Sequence, residues 1–156
     1  MTGFITRIKN PRFSQWTIPL ALLGLSLVSY GLLIPWLGFY WDDIAFQWIA
    51  QKLGSDGLAR YFNSARPVWG LFIRADLAVL GSRPWVWQLF GIFWRWVCSV
   101  TLWAFLRLLW PQRARLAAWA AFLFVIYPGF DQQYIPINFG HFFMVYTMLL
   151  FSFGAM

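Results

Sequence analysis

Charge is the scarcest thing in this chain: of 156 residues only 11% are charged. The single cysteine, Cys98, lies inside an apolar run. It excludes an intrachain disulfide and cannot build a zinc or iron–sulfur site, so it reads as a small buried apolar residue. The single histidine, His141, leaves an axially bound metal macrocycle without a second protein ligand, and no CxxCH attachment site accompanies it. Its expected role is a local hydrogen bond. A nucleophile elbow, a P-loop, a dinucleotide fingerprint and an HExxH pair are all missing, as are internal repeats and low-complexity tracts.

What is present is apolar and aromatic. The chain is 61% hydrophobic, with 12 Trp and 17 Phe, more than one soluble core of this size can bury. Its solvent is therefore expected to be lipid. The net charge of +7 would suggest nucleic acid in a soluble protein, but the basic residues gather at Arg7, Lys9 and Arg12 and again at Arg107, Arg113 and Arg115. These positions flank apolar runs, as the positive-inside rule requires, so membrane topology accounts for the balance and no nucleic-acid partner is expected. The first apolar run is too long for a cleaved leader and lacks a small-x-small site. An uncleaved anchor with a cytoplasmic N-terminus, in the cell (inner) membrane, is the expectation.

The runs predict an all-α polytopic membrane protein, a single transmembrane domain over 1–156, with about four spans near 17–38, 84–110, 114–130 and 138–156. A hydrocarbon core requires ~20 apolar residues per helix. The third run is the shortest, and Arg115 would have to snorkel to lengthen it. Two further helices, near 43–53 and 67–80, carry charges and are too short to span, and suit an interfacial position in the first extracytoplasmic loop. Arg74 and Asp76, two apart, are not expected to pair. Gly24, Gly31 and Gly38 repeat every seventh residue, a face along which a second helix could approach closely. A fourth span still running at Met156 suggests either a piece of a longer multispan protein or a helix held by other membrane chains.

Two features stand out as chemistry. From Phe13 to Trp41 there is no charged residue, and then Asp42 and Asp43 follow side by side. Mutual repulsion should raise one carboxyl pKa while the other stays ionised, the requirement for a general base beside a helper; the plainer alternative is a charged helix end. Arg95 is the only charge between Pro84 and Leu106. Near mid-membrane it must face protein, a lipid headgroup or a wet cavity, with Gln88 and Ser99 to solvate it and Trp94 and Trp96 to stack on it. Asp131, with Gln132 and Gln133, forms a polar outer loop. No cofactor is certain; a divalent metal would need Asp42 or Asp43 beside Asp131.

Trp41-Asp42-Asp43 follows the first span, Arg66-Pro67-Val68 precedes the second interfacial helix, Gly81-Ser82-Arg83-Pro84-Trp85 enters the second span, Arg95 with Ser99 lies within it, and Tyr127-Pro128-Gly129-Phe130 closes the third. This order resembles the GT-C membrane glycosyltransferases, in the branch of protein mannosyltransferases and aminoarabinose transferases, which often have His-Pro-Pro where Arg66-Pro67-Val68 stands. Asp43 stands where Glu is frequent. The similarity covers nearly the whole chain, as only the N-terminal portion of such an enzyme. It implies transfer of a sugar from a polyprenyl-phosphate carrier to an extracytoplasmic acceptor, with Asp42 as base, Asp43 its neighbour, and Arg66, Arg95 and Asp131 toward substrate. The alternative is a non-catalytic, Trp-rich subunit of a larger membrane complex that keeps the first four spans.

Overall fold

A computed structural model describes residues 16–130 and 132–156, and every described element is helical. Asp131 and the basic residues Arg7, Lys9 and Arg12 lie outside the described residues. Helix α1 (Thr17–Ser26) runs on through a π-helical turn (Leu27–Gly31) to a 3-10 turn at Ile34–Trp36, where Pro35 ends it. Helix α2 (Asp42–Asn63) follows, broken at Gly54, whose φ of 71° is a backbone conformation that favours glycine. Helices α3 (Pro67–Leu80) and α4 (Pro84–Leu109) both open on proline, whose missing N–H costs nothing in a first turn. Helix α5 (Ala114–Ile126) and helix α6 (Pro136–Gly154) complete the chain.

Three segments are long and apolar enough to cross a membrane: Thr17–Trp36, Pro84–Leu109 and Pro136–Gly154. Their buried share is small, and large apolar side chains such as Val28, Leu32, Phe93 and Phe151 lie exposed along them. That is the pattern of helices solvated by lipid, and the protein is an integral membrane protein. Helix α5 has 13 residues. At 1.5 Å per residue it reaches about 20 Å, short of the ~30 Å hydrocarbon core. Pro111 and Pro128 bracket it, so it has no sequence in which to grow.

Helix α4 is the axis of the bundle, with α6, α5 and α1 against it. Gly91 and Gly140 lie at its contact with α6. A Cβ on Gly140 would stand 3.4 Å from the Gly91 Cα and 2.9 Å from the Phe90 ring. The glycine face expected on α1 plays no such part: a Cβ on Gly24 or Gly38 meets nothing within 4 Å, and on Gly31 only ordinary contacts. Seven-residue spacing would put them on one helix face, but the helix ends before Gly38, and no backbone of another helix is among the atoms nearest a Cβ at Gly24 or Gly31.

Two apolar clusters hold the bundle. One joins Phe46, Leu58 and Phe62 of α2 and Ile73 of α3 to Trp87 of α4 and Ile137 of α6. Trp87 also donates its indole N–H to the Gly81 carbonyl at 2.8 Å, pinning the α3–α4 turn. The other joins Leu22 of α1 to Ala121 and Val125 of α5, with Trp96 and Trp103 of α4 packed on it. An aromatic cluster of Trp69, Phe90, Trp94, Phe139 and Phe142 extends the first around His141.

Candidate functional site

The acidic pair opens α2. Trp41, just before it, has φ 51° and ψ −127°, a conformation rare for a bulky residue and costing about 1–3 kcal/mol. That reversal lets the chain leave the extended Leu37 backbone and start a helix at once, with Asp43 N–H bonded to the Tyr40 carbonyl at 3.1 Å. Both carboxyls thus sit in a first turn, where the helix dipole favours negative charge.

Their fates then diverge. Asp43 is completely buried and bonds to the start of α6. Its Oδ2 accepts from Ile137 N at 2.9 Å and its Oδ1 from Asn138 N at 3.3 Å. Helix α6 begins Ile135-Pro136, so its own N-cap residue offers no side-chain acceptor and Pro136 has no N–H. Asp43 supplies the cap from a distant element. Burial pushes its carboxyl up from 3.8 to about 7; the two backbone donors pull the other way, and the charge of Asp42 adds the smallest upward contribution. Repulsion within the pair was expected to be the cause, but desolvation dominates.

Asp42 is exposed and lines a depression of about 410 Å³ together with Arg66, Tyr61, Ser64 and Asn138. Its Oδ2 accepts a long 3.5 Å bond from the Asn138 side-chain amide. Arg66 reaches this place because it ends the α2–α3 turn: its N–H bonds the Phe62 carbonyl at 2.7 Å and Pro67 opens the next helix. Its guanidinium lies 5.8 Å from the Trp69 ring centre. Asp42 and Arg66 share the depression without forming an ion pair. The residues lining this depression therefore carry one carboxylate, one guanidinium, two hydroxyls and an amide among their side chains.

Arg95 is elsewhere. It is fully buried in α4, donating through Nε to Gln133 Oε1 at 3.0 Å and through Nη1 to the Val125 carbonyl at 2.9 Å. The rings of Tyr30 and Phe143 hold its guanidinium at 3.8 and 4.6 Å. Tyr30 also donates to the Val125 carbonyl at 2.9 Å. The cation thus ties the π turn, α4, the end of α5, the 132–134 turn and α6 together, and it does not line the Asp42 depression. The neighbours picked from adjacency do other work: Trp96 donates to the Pro19 carbonyl, Ser99 to the Trp96 carbonyl and Gln88 to the Tyr134 carbonyl.

Of the five expected site residues, Asp42 and Arg66 line one depression, Asp43 is buried as the cap of α6, Arg95 stands apart, and Asp131 lies outside the described residues. Sequence reasoning missed Asn138, which touches both acids. The available signal was a helix start lacking any capping side chain. It also missed the partner of His141. That ring is fully buried, with Nε2 2.8 Å from Asp76 Oδ2 and Nδ1 against the Ile137 carbonyl. Arg74 pairs instead with Asp56 at 3.0 Å, on the surface. No group of three or more His, Cys, Asp or Glu able to share a metal occurs among the described residues. Comparison with known protein families, curated proteins and solved structures gives no match.

Proposed function

We propose that the Asp42–Arg66 depression is the acceptor-side half of a GT-C-like site that moves a sugar from a polyprenyl-phosphate carrier to a hydroxyl outside the cytoplasm. One observation carries this reading: exposed Asp42 and exposed Arg66 line one cavity without forming an ion pair. In the reaction, the acceptor O–H gives its proton to Asp42 as its oxygen attacks the sugar's anomeric carbon. The anomeric C–O bond breaks, and its electron pair leaves on the lipid phosphate, which Arg66 contacts. Asp43 keeps α6, and through it Asn138, against Asp42.

In this reading α2 and α3 lie in the outer interface of the cell membrane, the N-terminus is cytoplasmic, and α5 with its flanking turns makes a fourth crossing, Arg115 snorkelling to the surface. The chain acts within a longer protein or assembly that supplies the carrier-lipid site.

The test is sugar transfer in membranes carrying a polyprenyl-phosphate sugar. Asp42→Asn should lower transfer by about 10² to 10⁴, the range for a lost general base, with insertion and thermal stability unchanged. Undiminished transfer by an inserted Asp42→Asn protein would sink the base assignment.

A second reading, a non-catalytic subunit of a larger membrane complex, is favoured by the use of Asp43, Arg95 and His141 in internal contacts. Under it the protein purifies with other membrane chains, and neither the complex nor the chain transfers sugar.

A further inference from the structure

At the far end of α4 from the acidic pair, the last turn of α4 and the first turns of α5 leave a cleft of about 590 Å³. Leu106, Leu116, Ala117 and Ala120 line it with Trp110, and Gln112 and Arg113 complete it. A second recess of about 510 Å³ shares Arg113 and Leu116 and adds Arg115. The volume exists because α5 presents alanine at 117 and 120, where larger side chains would close onto α4.

The charge here is one-sided. Arg107, Arg113 and Arg115 crowd this end, and Arg107 lies 5.0 Å from the Trp103 ring centre. The chain has no glutamate, and its five aspartates are Asp42, Asp43, Asp56, Asp76 and Asp131. None lies between Arg107 and Ile126, and none of the three arginines forms an ion pair among the described residues. The cleft therefore presents positive charge that no acidic side chain among the described residues pairs with, beside an apolar lining.

We propose that this cleft binds one anionic phospholipid. Its acyl chain lies against Leu106, Leu116, Ala117 and Ala120, and Arg113 and Arg115 engage the headgroup phosphate. Guanidinium groups match phosphate oxygens two at a time, and basic pockets between membrane helices select anionic headgroups. A zwitterionic phospholipid offers the same chains without the net charge, so the site discriminates by charge and retains by chain. The site stands whether or not the Asp42 depression transfers sugar.

The experiment is native mass spectrometry of the detergent-purified full chain with phosphatidylglycerol, phosphatidylcholine or inorganic phosphate. The wild type should retain one phosphatidylglycerol at least about tenfold better than phosphatidylcholine, the scale expected of two arginines at a membrane surface. Arg113→Gln with Arg115→Gln should erase that preference, and Ala120→Phe, which fills the cleft, should weaken both lipids alike. Arg74→Gln, remote from the cleft, should change nothing. Equal retention of the two lipids by the wild type overturns the site, as does a preference that survives the double substitution. So does complete displacement of phosphatidylglycerol by millimolar inorganic phosphate, because the cleft would then contribute nothing. Should the double variant fail to fold, the wild-type comparison and Ala120→Phe decide.

Discussion

Asp43 Oδ2 lies 2.9 Å from the backbone nitrogen of Ile137, so a side chain in the first turn of α2 caps a helix that starts 93 residues later, at Pro136. Ile137 is held on its other side as well, its carbonyl meeting the His141 ring that Asp76 grips from α3. The first turn of α6 is therefore clamped between the two helices of the α2–α3 hairpin. Asp42 depends on that clamp, because Asn138, its side-chain partner among the described residues, belongs to the same turn.

Removing the cap should be costly. Asp43→Ala leaves two N–H groups without an acceptor, one of them in a buried bond, and should lower unfolding free energy by about 2–4 kcal/mol. Asp43→Asn keeps an acceptor oxygen and should lose about half as much. Chemical unfolding in detergent, followed by circular dichroism, measures the difference.

The same carboxyl gives stability a pH dependence of definite sign. Its pKa is raised by folding from 3.8 to about 7, so the folded state holds the proton more tightly. The stabilisation is complete below about pH 3.8 and is lost as pH rises through 7, with an upper bound of about 4 kcal/mol. Melting temperature should fall from pH 4 to pH 8 in the wild type, and much less in Asp43→Asn. A wild-type curve that rises over this range would contradict the burial argument.

Arg95 should resist its conservative replacement. Lysine cannot donate at once to Gln133 and Val125 with a planar group between Tyr30 and Phe143. Arg95→Lys should destabilise by about 1–3 kcal/mol, since it strands hydrogen-bonding groups away from water. Thermal unfolding of the variant checks this, and sugar transfer by the protein that remains folded should persist.

Glycine substitutions separate real helix contact from mere periodicity. Gly140→Leu drives a side chain into Phe90 and the Gly91 backbone and should cost about 1–3 kcal/mol or more by forcing α4 and α6 apart. Gly24→Leu meets open space and should leave the melting temperature unchanged or slightly higher, since leucine favours helix over glycine. Equal effects at the two positions would show that α4–α6 contact is not the close approach described.

Much of the scaffold was legible in one dimension. Long apolar runs with few charges mark the three spanning segments, and prolines at 67, 84 and 136 mark where α3, α4 and α6 begin. Pro111 and Pro128 likewise mark why α5 stays short. These are local signals: a missing N–H or a long stretch without charge acts on the residues beside it. The continuation of α2 to Asn63 was not legible, because Gly54-Ser55-Asp56-Gly57 reads as a stop, whereas the chain bends at Gly54 and resumes the helix.

The apolar runs, most helix starts and the charged candidates could be read along the chain, because hydrophobicity, proline geometry and charge scarcity act over a few neighbouring positions. Which aspartate would be buried as a cap and which left open beside Arg66 was decided only when α6 came to rest against α2. Likewise, Arg95 took its place between Tyr30 and Phe143, and Gly140, not Gly24, came to a crossing. These outcomes are matters of desolvation and close approach between segments far apart in the chain, and no local pattern carries that information.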